Sequence, residues 1–280
     1  MRVLVTGAGG FLGRHLVPLL AERHEVVAVA RQPLEGVETV VGDLAGAIEL
    51  PPADAIVHLA QSRRYREWPA GAADVFAVNV DATFRLLEHA RGCGATHFVL
   101  ASTGAVYAPS GAPLTEDAPL APSGFYPRSK LAAEVLTEAY AGELVTAVLR
   151  PFAIYGAGQE GMLVANLAGR VAAGDEVVVQ GDPGLRINPI HVRDAARAFA
   201  AALGLERSGA FNVAGEETVS LTALVELLGE LAGRPARVRH EEGAGATLVG
   251  DIARMRDGLG VEPRVALRDG LSEVLAGRAP

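Results

Sequence analysis

The chain has 280 residues, of which half are apolar and 21% are charged, so its composition is that of a globular protein and excludes fibrous and disordered classes. Its formal net charge of -8 argues against a nucleic-acid partner, because phosphate backbones need clustered Lys and Arg. The only cysteine, Cys93, excludes an internal disulfide and a Cys-rich zinc site, so we predict no metal and a reducing, cytoplasmic location. We also expect no membrane partner, because we find no secretory leader and no run of about 20 apolar residues.

The first predicted element is a buried strand that leads into a glycine-rich turn. Residues 2–6 form a β-branched apolar run, and apolar side chains then recur at helical spacing. In such a turn, glycine permits a sharp bend and lets backbone N–H groups approach a pyrophosphate at the positive end of the helix. The cofactor-binding residues predicted here are Gly7, Gly10, Phe11, Leu12 and Gly13.

The second predicted strand, residues 25–30, ends without the acidic residue that NAD sites usually have at this point. The position is Ala30, and Arg31 follows it. An arginine without a competing carboxylate can accommodate a 2'-phosphate, so the sequence favours NADP(H) over NAD(H). The alternative is that Arg31 is a solvated loop residue.

Two further strands are predicted, at 37–41 and 55–59. Asp43, just after the first of them, can accept a hydrogen bond from an adenine amino group or simply cap its turn. His58 lies inside an apolar strand, where a core histidine is favoured over a catalytic one. The basic, aromatic loop 62–68 follows at the sheet edge where α/β proteins bind ligands. Arg63 is its candidate phosphate contact, and a solvated loop is the alternative.

A helix at 73–91 and a fifth strand at 97–101 come next. Asn79, in the middle of the helix, is an ordinary exposed residue unless it bonds the strand edges near a cofactor. Ser102 and Thr103 stand just beyond the fifth strand, so their hydroxyls are expected to point toward the same crevice as the glycine turn. Thr103 can donate to a substrate oxygen, and the alternative is that both hydroxyls cap a turn.

Tyr126 and Lys130 are the residues on which the functional prediction depends. If a helix begins here, positions i and i+4 lie one turn apart on the same face, and the ammonium favours phenolate over phenol. An unperturbed Tyr ionises near pH ~10, so a neighbouring cation makes Tyr126 a usable general acid or base. Any exposed helix can show this spacing by chance, and the upstream motifs are what favour a catalytic pair.

The fold class predicted is α/β, a Rossmann-type doubly wound parallel sheet with a smaller, intercalated C-terminal substrate lobe. The sixth strand lies at 144–149, and beyond residue 156 shorter elements alternate less regularly. We assign residues 1–156, with returning segments near 187–215, to the dinucleotide-binding domain. The substrate lobe is assigned to 157–186 and 216–280.

Taken together, these segments resemble the extended short-chain dehydrogenase/reductases, which include the nucleotide-sugar epimerases and dehydratases. The motifs follow the family's order over nearly the whole chain. They are T-G-A-G-G-F-L-G at 6–13, G-D-L at 42–44, H-L-A at 58–60, S-T-G-A-V-Y at 102–107, Y-P-R-S-K at 126–130, R-P-F-A-I-Y-G at 150–156, I-H-V-R-D at 190–194, F-N-V-A-G at 211–215 and L-G-V-E-P at 259–263.

The resemblance implies a catalytic trio of Thr103, Tyr126 and Lys130. Tyr126 is the implied acid/base, and Lys130 both binds the nicotinamide ribose and acidifies Tyr126. The full set of predicted cofactor contacts is Gly7, Gly10, Phe11, Leu12, Gly13, Arg31, Asp43, Leu44, Leu59, Ala60, Asn79, Tyr126, Lys130 and Pro151. The predicted substrate contacts are Arg63, Thr103, Phe152 and Arg186.

Departures from the family pattern narrow the predicted reaction. Gly104 and Ala105 stand where dehydratases carry acidic residues, which disfavours dehydration, and Ala153 replaces the Asn that usually touches a sugar nucleotide. The favoured reading is a nucleotide-sugar epimerase with a retained NAD(P). The alternatives are an NADPH-dependent ketoreductase of a sugar nucleotide or natural-product ketone and, disfavoured by the intact trio, a non-catalytic dinucleotide sensor. The resemblance also implies a homodimer made by helices at 75–91 and 126–141.

Overall fold

The computed structural model describes residues 1–243 and 245–277. Its strands, in chain order, are β1 (Arg2–Thr6), β2 (Glu25–Ala30), β3 (Glu38–Val41), β4 (Ala55–His58), β5 (His97–Ala101), β6 (Val145–Pro151), β7 (Ile154–Tyr155), β8 (Glu176–Gln180), β9 (Arg186–Ile187), β10 (Ile190–His191), β11 (Gly209–Val213), β12 (Val219–Ser220), β13 (Arg237–Glu241) and β14 (Thr247–Leu248). Seven of them form one parallel sheet in the order β11-β6-β5-β4-β1-β2-β3. The chain therefore crosses over between β3 and β4, as in doubly wound dinucleotide-binding folds, and the predicted fold class is confirmed.

Within the described residues, the structure has nine α-helices. They are α1 (Gly13–Ala21), α2 (Ala72–Phe76), α3 (Ala82–Cys93), α4 (Phe125–Ala139), α5 (Leu163–Ala173), α6 (Val192–Ala201), α7 (Leu221–Leu231), α8 (Ala253–Leu259) and α9 (Leu267–Ala276). The elements α8, β13 and β14 were not predicted from the sequence. None of the helices in the described ranges is long and apolar enough to cross a bilayer.

Successive residues of the central strands pack against opposite layers. On β1, Val3 and Val5 pack in the cluster that includes α1 and α6, whereas Leu4 packs in the cluster that includes α3 and α4. All three side chains are fully buried, as expected for a parallel sheet covered on both faces. The apolar runs of the sequence thus account for the sandwich of helix, sheet and helix.

A third apolar cluster lies mainly in the C-terminal part of the chain. It combines side chains of α5, α7 and α9 with those of β8 and β9. The segment between these elements returns to the main sheet, because β11 pairs with β6. The division of the chain into a cofactor domain and a substrate lobe stays a prediction.

The helix predicted at 73–91 contains a π-helical turn, Ala77–Asp81, between α2 and α3. A π turn holds one more residue than an α turn, so it changes which side chains face the sheet. Asn79, inside this turn, is 1% exposed, while Phe76 and Phe84 on either side of it are 55% and 44% exposed. The insertion thus turns one amide inward and leaves two aromatic rings on the surface.

Ala153, just after β6, has a φ of 47°, in the left-handed region that L residues avoid. A non-glycine residue there costs about 1 to 2 kcal/mol, and Asn or Gly tolerates the conformation best. Ala153 occupies the position where the family pattern has Asn, a residue that tolerates this conformation better than Ala.

We expect Ala153→Gly to raise the free energy of unfolding by about 0.5 to 1 kcal/mol, because relief of the strain outweighs the added flexibility of the unfolded chain. Urea titration measures the change. The control is Ala157→Gly in the same loop, where φ is not positive and a small loss is expected. Equal losses in both variants would contradict the assignment of strain to Ala153.

Candidate active site

The glycine turn between β1 and α1 leaves no room for side chains at two positions. Gly7 has a φ of 69°, and a Cβ added there would lie 2.7 Å from the backbone nitrogen of Ala60. A Cβ on Gly13 would overlap the carbonyl oxygens of Gly7 and Ala8. The turn is therefore tight because Gly7 and Gly13 allow β1, the β4 exit and the start of α1 to approach one another.

Backbone donors at this turn are free to bind an anion. Within the described ranges, the N–H groups of Phe11 and Leu12 make no hydrogen bond to the protein. They precede Gly13, the first residue of α1, where the helix dipole favours negative charge. The residues present thus fit the pyrophosphate of a dinucleotide.

The end of β2 lies beside the same turn. A Cβ on Gly9 would lie 4.0 Å from that of Ala30, and Arg31, which follows, is exposed. Asp43 is also exposed, but one carboxylate oxygen accepts from the Ala45 N–H at 2.9 Å, so the residue caps its turn. Leu44 is 7% exposed and packs in the core, which corrects the expectation that its side chain flanks the adenine.

Helix α4 presents Tyr126 and Lys130 to the end of β5, which Thr103 follows. Gly124, with a φ of 87°, precedes its first residue, and Pro127 lies in its first turn, where a missing N–H costs nothing. Lys130 Nζ donates to the carbonyl oxygen of Ala101 at 2.9 Å, and the Tyr126 hydroxyl lies near Thr103, which opposes the rise in the phenol pKa. The structure therefore brings Thr103, Tyr126 and Lys130 together.

Tyr126 has two further contacts that the sequence did not indicate. Its hydroxyl donates to the Gln61 side-chain oxygen at 2.9 Å, and its ring lies 5.0 Å from that of Tyr65. Burial raises the pKa of the phenol above its usual range, Tyr65 adds to the rise, and the nearby Thr103 opposes it only in part. The phenol is therefore neutral in this arrangement.

The expectation that Lys130 acidifies Tyr126 stays a prediction. In the structure the ammonium is bound to a backbone carbonyl, and burial is the largest cause of the raised pKa of the phenol. Burial also lowers the pKa of Lys130 from 10.5 to about 8, and the carboxylate of Glu134 opposes that fall. The spacing of one helical turn places Tyr126 and Lys130 on the same face of α4. The hydrogen-bond partner of the ammonium, however, is supplied by the neighbouring strand β5.

Asn79 connects two segments of the site. Its side-chain oxygen accepts from the Ser62 N–H at 3.0 Å, and its side-chain nitrogen donates to Ser129 Oγ at 2.9 Å. Ser129 Oγ in turn donates to the carbonyl oxygen of Tyr126 at 2.7 Å. The buried amide thus holds the β4 exit against the start of α4, and the predicted cofactor contact of Asn79 stays a prediction.

His58 is a core histidine, as the sequence favoured. Its Nδ1 lies 2.6 Å from Thr6 Oγ1, and Thr6 Oγ1 accepts from the Ala60 N–H at 3.3 Å. Burial and, to a lesser extent, the Lys130 cation lower its pKa from 6.5 to about 3, so the ring is neutral at physiological pH. It fixes the ends of β1 and β4 without adding charge.

The predicted substrate contacts do not all lie in the site. Phe152 is 1% exposed, and its ring fills the space beside Gly104 and Gly250, so it is a core residue and its prediction is corrected. Arg63 is exposed in the loop after β4, and Arg186 is exposed on β9. Within the described ranges neither guanidinium has a hydrogen-bond or ion-pair partner.

Ser102 is also turned differently from the prediction. It is 6% exposed, and its hydroxyl donates to the buried Glu134 carboxylate rather than facing the crevice. Glu134 was missed, although it follows Lys130 by one helical turn and the same spacing could have indicated it. Gln61 and Tyr65 had no comparable signal, because their approach to Tyr126 depends on a loop.

A cluster of at least three His, Cys, Asp or Glu side chains arranged for a metal ion is not found in residues 1–243 and 245–277. The loop that contains Tyr65 also reaches the segment before α5. The Tyr65 hydroxyl donates to Met162 Sδ at 3.4 Å, and Arg66 donates to the Gly161 carbonyl oxygen at 2.8 Å. Aromatic and basic residues thus border Tyr126 on its exposed side.

Comparison with known proteins gives concordant matches. The model of the NAD dependent epimerase/dehydratase family matches residues 3–214. The GDP-6-deoxy-D-mannose reductase of Pseudomonas aeruginosa is 31% identical, with 98% of this chain and 96% of the reductase covered. The UDP-glucose 4-epimerase of Mycolicibacterium smegmatis is 30% identical, with 98% and 97% covered.

A solved structure of MoeE5 in complex with UDP-glucose and NAD is similar over 99% of this chain and 98% of that chain, with 30% identity and a TM-score of 0.85. The family match covers more than half of the chain, and the relatives are matched over nearly their whole lengths. The chain belongs to the NAD-dependent epimerase/dehydratase family of enzymes, within the extended short-chain dehydrogenase/reductases.

Proposed function

We propose that the protein is a nucleotide-sugar epimerase that oxidises and re-reduces one carbinol with a retained NAD(P). The observation that carries the proposal is the meeting of Thr103, Tyr126 and Lys130 at the end of β5, beside the glycine turn. A phenol in hydrogen-bond reach of a second hydroxyl can exchange a proton with a substrate oxygen held between them.

The residues around the turn would hold the cofactor. When bound, a nicotinamide supplies the hydride acceptor and donor for such a reaction. Gly7, Gly10 and Gly13, with the free N–H groups of Phe11 and Leu12, would bind the pyrophosphate. The other proposed cofactor contacts are Arg31, Asp43, Leu59, Ala60, Tyr126, Lys130 and Pro151. The neutral phenol of Tyr126 is the proton-donating form.

A nucleotide-sugar substrate is supported by the relatives. The M. smegmatis protein is named a UDP-glucose 4-epimerase, and MoeE5 was solved with UDP-glucose. Arg63 and Arg186 are the proposed diphosphate contacts, because their guanidinium groups are exposed and can form paired hydrogen bonds to phosphate. Thr103 would contact the sugar.

Dehydration is disfavoured by the packing beyond Thr103. A Cβ on Gly104 would lie 2.8 Å from the Phe152 ring, so an acidic side chain does not fit there without moving the core. Ala105 carries no proton-transfer group. The second candidate function is NADPH-dependent reduction of a ketone, which the exposed Arg31 after Ala30 favours and which agrees with the name of the P. aeruginosa reductase.

Assays of the purified protein distinguish epimerisation from net reduction. We expect tightly bound dinucleotide and interconversion of UDP-glucose and its 4-epimer, followed by NMR, with no net consumption of NADH or NADPH. Tyr126→Phe should lower the rate by about 100-fold or more, because the proton carrier is lost. Tyr140→Phe, at the other end of α4, should keep the rate. Net oxidation of added NADPH by a ketone substrate would reject the epimerase in favour of the reductase.

We further propose that the protein prefers NADP(H) to NAD(H), with Arg31 binding the 2'-phosphate. Removing the guanidinium in Arg31→Ala should weaken NADPH binding by about 10- to 100-fold and leave NADH binding unchanged, because only NADPH carries the 2'-phosphate. Quenching or enhancement of nicotinamide fluorescence measures both affinities. Arg23→Ala, exposed before β2, is the control. Equal loss for both dinucleotides, or for neither, contradicts the role of Arg31.

We also propose a cytoplasmic homodimer. Cys93 is a free thiol, which fits a reducing compartment. Phe76 and Phe84, with the exposed Val135 of the neighbouring α4, supply an apolar helical face. A second copy of this chain would bury that face in a two-fold, four-helix interface.

Sedimentation velocity tests the dimer. The wild-type protein should sediment as a dimer and Phe84→Glu as a folded monomer, because a carboxylate in an apolar interface is not solvated. Leu120→Glu replaces an apolar residue of similar exposure outside this face and should leave the dimer intact. A monomeric wild type, or dissociation by both substitutions, contradicts the proposed interface.

A further inference from the structure

Three contacts join the end of β5 to one face of α4. Lys130 Nζ donates to Ala101 O, Ser102 Oγ donates to the Glu134 carboxylate, and Thr103 lies near the Tyr126 hydroxyl. Three consecutive residues of the strand exit thus lie against three side chains spaced four apart on the helix. Two of these contacts use the proposed catalytic trio, and the third uses Glu134.

Glu134 is held rigidly where charge is costly. It is 5% exposed, and its carboxylate accepts from Arg150 Nη2 at 2.7 Å and Nε at 3.1 Å. Arg150 is fixed on β6 by further hydrogen bonds to the Tyr107 hydroxyl at 2.8 Å and the Glu116 carbonyl oxygen at 3.1 Å. The carboxylate therefore cannot turn away from Ser102 without breaking a buried network.

We propose that Glu134 is a positioning residue of the active site: it keeps the Lys130 ammonium charged in its buried place and fixes Ser102 so that Thr103 meets Tyr126. The proposal rests on the proposed function for the roles of Thr103, Tyr126 and Lys130. A buried ion pair is often no more stabilising than a well-packed apolar pair of the same size. The proposal therefore gives the Glu134–Arg150 pair a functional role besides packing.

The charges around Lys130 identify Glu134 as its stabilising anion. From β4, His58 is neutral, because burial lowers its pKa to about 3. From β6, Arg150 brings positive charge, and on α4 itself Tyr126 is a neutral phenol. Glu116, whose pKa burial raises, contacts the N–H of Asn212 on the far side of Arg150. Glu134 alone among these groups raises the pKa of Lys130.

These charges determine in which direction the pKa of Lys130 should change when Glu134 loses its charge. Burial brings the pKa of Lys130 down to about 8, and Glu134 opposes that fall. Removing the carboxylate's charge leaves the desolvation of Lys130 unopposed, so its pKa moves further down. Around neutral pH the side chain then loses its proton in part, and it no longer offers an ammonium to a ribose hydroxyl.

The sequence allows this to be measured directly, because Lys130 is the only lysine in the chain. Lysine labelled with carbon-13 at Cε therefore gives one resonance, whose position reports the protonation of Nζ. The titration is run on the full-length purified protein, and it requires neither substrate nor turnover.

We expect a midpoint near 8 in the wild-type protein and a midpoint lower by about one unit or more in Glu134→Gln. Glu138→Gln, one turn further along α4 and exposed, removes the same charge and should leave the midpoint in place. Ser102→Ala keeps the carboxylate and should also leave it in place, while lowering the rate of the reaction through Thr103.

Glu134→Gln leaves Arg150 buried without its partner, so the double variant Glu134→Gln with Arg150→Met provides a second measurement. It should fold and still show a lowered midpoint, because the anion is missing. A wild-type midpoint in the folded double variant would overturn the proposal and reduce the pair to packing. If the Glu134→Gln variants show the lowered midpoint but the wild-type protein does not act on nucleotide sugars, the proposed function is rejected and the role of Glu134 is kept.

Discussion

A buried ammonium is the constraint on which the candidate active site depends. Lys130 is 2% exposed, and an unpaired cation in such a place would lose its proton or unfold its surroundings. A strand carbonyl accepts a hydrogen bond from this ammonium, and a carboxylate one turn away on the same helix stabilises its charge. The nearby histidine adds no positive charge, because burial keeps it neutral. These three groups belong to β5, α4 and β4, respectively. Stabilising the Lys130 charge therefore requires these three elements to lie close together.

The parts of this arrangement that the sequence could predict are local ones. Alternation of apolar runs with helical spacing predicts the strands of the main sheet, because burial on both faces leaves few polar positions. The spacing of Gly7, Gly10 and Gly13 predicts the turn, and it does so because added side chains would meet backbone atoms. Tyr126 and Lys130 could be paired by spacing alone, since both lie on one helix.

The parts that could not be predicted depend on contacts between distant segments. Phe152 was expected at the substrate, yet its ring is enclosed by Gly104 and Gly250, which stand 48 and 98 residues away in the sequence. The burial that raises the pKa of Tyr126 could not be predicted for a related reason. Spacing gives the distance to a charge, whereas the pKa also depends on how much water the fold removes, and here that effect is larger.

The same distinction explains why the reaction class is better determined than the substrate. Thr103, Tyr126 and Lys130 lie where β5 meets α4, and buried polar contacts join these two elements. The groups that border Tyr126 belong to the loop after β4, where Tyr65 and Arg66 contact Met162 and Gly161 before α5. These contacts are exposed and involve few polar partners, so substitutions can alter them at little cost to the fold. Selection of the sugar can therefore change while the proton-transfer geometry is kept, and a strained Ala153 where the family pattern has Asn is consistent with such a change in this chain.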